Sequence, residues 1–93
     1  MDNLLKWDQV LDGLAGYQVT VRPAKGEISI KGAAQLPVQI RLTMRYWQSH
    51  EPQLRLALME YVCALATGTV RDLAECDLPE YQAIIPERVG VEV

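Results

Sequence analysis

The chain has 93 residues, a length that suits one domain with a modest core and is too short for two. No run approaches the roughly 18–20 apolar residues of a membrane span, and the N-terminus lacks the basic and apolar regions of a signal peptide. We therefore expect a single domain over residues 1–93, with no membrane partner, in the cytoplasm (the host's cytoplasm if a phage encodes it).

The formal net charge of −3 is unevenly distributed along the chain. Residues 1–46 carry six basic and four acidic side chains, whereas residues 47–93 carry three basic and eight acidic ones. This polarity is typical of an ordinary solvated surface. The alternatives are a charged partner or head-to-tail association of copies.

An amphipathic helix is predicted over residues 3–14. Asp2 or Asn3 can cap its start, and Gly13 and Gly16 supply its end. Its apolar stripe could pack on the chain's own sheet or on a partner. The stripe has the helical spacing of three and four residues and consists of Leu4, Trp7, Val10, Leu11 and Leu14.

A β-hairpin is predicted next, because apolar and polar residues alternate over 17–22 and again over 27–31. The turn between them contains Pro23 and Gly26, which favour the backbone angles of a tight turn.

A third strand is predicted over residues 38–46, where five apolar residues alternate strictly with polar ones. The competing interpretation is a helix, from the spacing of Val38, Leu42 and Tyr46. Three paired strands would form an antiparallel meander with one apolar face. The opposite face would be basic and would carry Thr20, Arg22, Lys31, Arg41 and Arg45.

Helices are predicted for the rest of the chain. A long one covers 51–66, starting at Ser49 or His50, tolerating Pro52 in its first turn and ending at Gly68. Short ones cover 69–74 and 77–84, the second from a capping-box spacing. Residues 89–93 form a tail or an edge strand. The fold class is therefore α+β, with an N-terminal helix, a three-stranded antiparallel sheet, then one long and two short helices.

Candidates for catalysis or metal binding are few. His50 is the single histidine and has no partner at ligand spacing. Cys63 lies in an apolar helical pattern and is expected to pack as a small hydrophobe, and with Cys76 it makes no disulfide framework. The acidic residues of 72–80 are interpreted as helix caps and solvated surface. We predict no enzymatic activity, no cofactor and no metal site.

The residues from Leu65 to Tyr81 (LATGTVRDLAECDLPEY) resemble the C-terminal part of phage tail assembly chaperones, Mu-like members included. The segment 38–45 (VQIRLTMR) resembles a strand of the same family. The resemblance covers about half the chain, and the helix with Trp7 departs from it. It implies a small non-enzymatic protein that binds the tape measure protein during tail assembly.

We therefore predict a protein-binding domain. One alternative is a nucleic-acid-binding module that uses the basic sheet face, although the pI near 5.0 disfavours it. The other is a self-associating structural protein, hence a homo-oligomer. The candidate partner-binding residues are Leu4, Trp7, Leu11, Arg41, Arg45 and Trp47.

Overall fold

The computed structural model describes residues 4–68 and 79–87 of the chain. The predicted α+β class, with an N-terminal helix and a three-stranded antiparallel sheet, is confirmed. The predicted elements at 69–74 and 89–93 lie outside the described residues. The elements are α1 (Trp7–Leu14), β1 (Gln18–Arg22), β2 (Glu27–Ile30), α2 (Val38–His50), α3 (Pro52–Thr67) and β3 (Tyr81–Ile84).

The hairpin is formed as predicted. Residues Pro23–Lys25 make a short 3-10 turn that closes at Gly26, whose φ of 66° favours glycine. β1 and β2 then pair antiparallel, with Val19 opposite Ile30 and Val21 opposite Ile28. The apolar side chains of both strands thus share one face of the sheet.

The prediction of a strand over 38–46 is wrong, because this segment belongs to the helix α2. The alternation of apolar residues ends at Tyr46, whereas the helical spacing of Ile40, Thr43 and Trp47 continues beyond it and forms the buried side of α2. Two apolar residues of the alternation, Val38 and Leu42, are left exposed.

The third strand is β3, in a region where the capping-box spacing predicted a helix over 77–84. Tyr81 and Ala83 pair with Val21 and Val19 of β1, and both point toward the core side of the sheet. The strand order is β2-β1-β3. The sheet is therefore not a meander, since its centre is β1 and its third strand comes from the end of the chain.

The long helix α3 supplies the centre of the core. It spans Pro52–Thr67, with Pro52 in its first turn, and Gly68 (φ 81°) terminates it as predicted. Its N-cap is Glu51 rather than Ser49 or His50. α3 packs against β3 and β1, while α2 packs against α3 and α1 against α2. The completely buried residues of α3 are Leu58, Met59, Val62 and Cys63.

The helix α1 begins at Trp7 rather than at residue 3. The N–H of Leu5 donates a hydrogen bond to the buried hydroxyl of Thr43 (3.0 Å), which itself donates to the carbonyl of Gln39 (2.8 Å). α1 also lies close to α2 at Gly13. A Cβ added there would lie 1.9 Å from Cδ1 of Ile40, which is too close for a real contact. The absence of a side chain at Gly13 permits this approach.

We expect Gly13→Ala to destabilise the protein. Alanine improves helix propensity by up to about 1 kcal/mol, but overpacking against the buried Ile40 costs about 1–3 kcal/mol. Ile40→Val removes the clashing Cδ1. The double variant should therefore be more stable than the sum of the two single changes allows, as measured by urea unfolding. Additive effects, or a stabilised Gly13→Ala, would contradict this close approach.

Candidate partner-binding surface

Three of the predicted partner-binding residues lie in or beside the core. Leu11 and Trp47 are each only 4% exposed, and the half-buried Trp7 packs against the core. Leu4 is half-buried as well, but it is not among the residues that pack against the core. The ring of Trp7 stacks on that of Trp47 (centroids 5.8 Å apart) and meets Tyr61 edge-on (6.4 Å). The apolar stripe of α1 is thus covered largely by the chain itself, and the folded domain does not offer Leu11 or Trp47 to a partner.

The predicted basic sheet face does not exist, because Arg41 and Arg45 belong to α2 and not to a strand. Of the predicted cations, Arg22 does lie on the outer face of the sheet. Its guanidinium contacts the carboxylates of Glu27 (3.4 Å) and Glu80 (3.0 Å). Two acidic groups therefore offset its charge, and this face does not provide the cationic track that phosphates require.

The outer face of the sheet also shifts the pKa of one carboxyl group, that of Glu80. The amide of Gln82 donates a hydrogen bond to Glu80 (2.8 Å), and the guanidinium of Arg22 adds a favourable charge, while desolvation opposes both. Together they hold the pKa of Glu80 below its ordinary value of 4.5. The ionised form of Glu80 is therefore favoured in the folded chain.

We expect Glu80 to stabilise the fold in a pH-dependent way. Because its folded pKa is lowered, its contribution is fully present above the unfolded pKa and is lost as pH falls through the folded pKa. Glu80→Gln should destabilise the protein at neutral pH, and the difference from wild type should vanish at pH values well below 4.5. Urea unfolding at a series of pH values measures this. The control is Glu87→Gln, at an exposed residue with no ion pair within the described part of the chain. A difference that does not depend on pH would contradict the expectation.

The solvent side of α2 combines apolar and basic side chains, and we call it the α2 surface: Val38, Arg41, Leu42 and Arg45. Val38 is 57% exposed and Leu42 is 48% exposed, one turn apart on the helix. Arg41 and Arg45 are also exposed and one turn apart. No carboxylate of the described residues lies within 4.0 Å of either guanidinium. In contrast to Arg22, these two arginines have no compensating carboxylate among the described residues.

A groove separates this side of α2 from the hairpin, and we call it the β2–α2 groove. Its volume is about 210 Å³, its floor is mainly apolar, and two arginines and an amide border it. None of the predicted site residues except Arg41 and Arg45 lines it. The lining residues are Ile28, Ile30, Ala33, Leu36, Arg41, Met44, Arg45 and Gln48.

A second cleft, of about 480 Å³, continues the groove past Ile28 and Gln48, which line both. It ends at Arg55 of α3, whose Nη1 donates to the carbonyl of Gly26 (3.1 Å). The buried Nε of Arg55 has no hydrogen-bond partner among the described residues. A third arginine without a carboxylate partner in this part of the chain therefore borders the same side of β2.

The single histidine takes a different place from the one predicted. His50 is the last residue of α2, where its exposed ring stacks on Tyr46 (centroids 4.5 Å apart). Within the described ranges, no group of three or more histidine, cysteine or acidic side chains is arranged to hold a metal ion. No helix in these ranges is long and apolar enough to span a membrane.

No family of known proteins, no curated protein and no solved structure matches this chain.

Proposed function

We propose that the chain is a non-enzymatic protein that binds a segment of another protein through the α2 surface and the β2–α2 groove. The observation that carries the proposal is that two exposed apolar side chains, Val38 and Leu42, lie next to Arg41 and Arg45, which no described carboxylate pairs, beside a groove with a mainly apolar floor. A single exposed apolar residue is ordinary on a protein surface, whereas contiguous apolar groups with a polar border are typical of interaction sites.

The chemistry of the lining favours a peptide as the ligand. Ile28, Ile30 and Met44 offer apolar area for anchoring side chains. Arg41 and Arg45 offer donors whose geometry suits carboxylates. A partner segment with apolar anchors and acidic neighbours would meet both requirements.

The resemblance to phage tail assembly chaperones suggests the identity of the partner protein. We propose the tape measure protein as the partner, bound in the cytoplasm of the host before tail assembly. The support lies in the residues Leu65 to Tyr81, which resemble the C-terminal part of that family. The segment 38–45 supports it less, because it is helical where the resemblance implies a strand.

Co-expression tests this proposal. The tagged full chain, produced with the tape measure protein of the same genome, should recover that protein as a soluble complex. Leu42→Asp should weaken the complex about tenfold or more, because truncating or charging a buried anchor costs 1–2 kcal/mol or more. The measurements are the yield of complex and its dissociation constant by surface plasmon resonance.

The matched control is Leu56→Asp. Leu56 is 40% exposed on α3 and lines neither cleft. The substitution Leu56→Asp should leave the yield and the dissociation constant of the complex unchanged. Failure of the wild-type chain to recover the tape measure protein, or equal losses in the two variants, would contradict the proposal.

A further inference from the structure

The strand β2 has one edge that no other described strand covers. It pairs with β1 alone, and the sheet order places it at the margin. Lys31 N–H donates to the carbonyl of Gln18 (2.9 Å), and the register then makes Ser29 and Glu27 the next residues bonded to β1. In an antiparallel pair, hydrogen-bonded and non-bonded residues alternate. The N–H and C=O groups of Ile28 and Ile30 therefore point away from β1.

The same two residues line the β2–α2 groove with their side chains. The free backbone groups and the groove thus belong to one margin of the sheet. A groove between an edge strand and a helix provides both features that strand addition requires, namely unpaired backbone groups for affinity and a side-chain surface for specificity.

We propose that the partner presents an extended acidic segment, which binds as a fourth strand along β2. This inference rests on the proposed function and specifies its binding mode. The backbone of the added strand forms hydrogen bonds with the N–H and C=O groups of Ile28 and Ile30. Alternate side chains of the segment face the apolar floor of the groove, because side chains alternate across a sheet. Its carboxylates pair with Arg41 and Arg45.

Charge decides between a foreign segment and a second copy of this chain. Two copies paired edge to edge through β2 would form a two-fold interface, in which the same surface of both copies meets. That arrangement would bring Arg41 and Arg45 of one copy toward their counterparts in the other. Like charges across an interface oppose association. An acidic segment instead neutralises these arginines, and Arg55 farther along the margin adds to the preference; Glu27, which lines the same cleft, is paired with Arg22.

The short edge sets the strength of this binding. β2 has four residues, and only Ile28 and Ile30 direct their backbone groups outward. A few backbone hydrogen bonds contribute modestly in water. The arginines and the apolar floor must therefore supply much of the affinity, so the binding should weaken when salt is added.

A labelled synthetic peptide tests the binding mode with the full chain. The peptide Glu-Glu-Val-Thr-Val-Glu-Glu is titrated and fluorescence anisotropy is measured. Two N-methylated forms are compared: one carries methyl groups on the backbone nitrogens of both valines, and the other on those of the threonine and of the glutamates two residues before and after it. Each form blocks one edge of the peptide strand. Only one edge of the peptide strand can face β2. The peptide methylated on that edge should bind at least about tenfold more weakly, because it loses backbone hydrogen bonds. The peptide methylated on the opposite edge should bind like the parent.

Equal binding of both forms would overturn strand addition, and so would equal loss in both or no binding of the parent peptide. On the protein side, Arg45→Glu should weaken peptide binding about tenfold, by reversing a charge at the interface. The control Lys6→Glu has the same charge change at an exposed residue outside both clefts and should have little effect. Equal effects of the two reversals would also overturn the proposal.

Amide hydrogen exchange separates this inference from the proposed function. In the complex with the tape measure protein, the amides of Ile28 and Ile30 should become protected, while that of Ser29, already bonded to β1, should change little. A stable complex without this protection would overturn strand addition and leave the proposed function standing. Absence of any complex would instead remove the proposed function. Protection in the free chain that rises with its concentration would assign the edge to a second copy and overturn the acidic partner.

Discussion

The close packing of α1 on α2 at Gly13 and Ile40 is the constraint on which the exposed surface depends. It is possible because Gly13 has no side chain, and Ile40 fills the space that a Cβ would occupy. With Thr43, whose hydroxyl accepts the N–H of Leu5, and Trp47, which stacks on Trp7, Ile40 fixes the buried side of α2. Helical geometry then directs Val38, Arg41, Leu42 and Arg45 to the opposite side.

Arg22, Arg41 and Arg45 differ in their surroundings because they lie on different elements of the fold. Arg22 lies on the outer face of the sheet, where its guanidinium contacts the carboxylates of Glu27 and Glu80. Arg41 and Arg45 project from a helix with no acidic residue of the described chain within reach. An exposed arginine loses little by lacking a partner in water. It therefore remains available to an incoming carboxylate, which an already paired arginine is not.

Local signals made part of the fold predictable from sequence. The hairpin depends on Pro23 and Gly26, and the end of α3 depends on Gly68, so neighbouring residues suffice to predict both. The segment 38–46 was predicted wrongly because its alternation satisfies the strand period, while Trp47, the residue that completes the helical stripe, lies just outside it. β3 depends on pairing with β1 across more than fifty residues, which no local pattern at Tyr81–Ile84 specifies.

The site was predictable only in part for the same reason. Arg41 and Arg45 were candidates because of their charge, but the groove beside them combines residues of β2 and α2, and that combination requires the helix. The edge of β2 lies beside the same groove. Long flat edges invite aggregation, whereas short edges bordered by charge resist it. β2 is short, and like charges on Lys31, Arg41 and Arg45 would oppose pairing with the same edge of a second copy. The same charges would attract an acidic strand, so the proposed recognition and the resistance to self-pairing would depend on one set of residues.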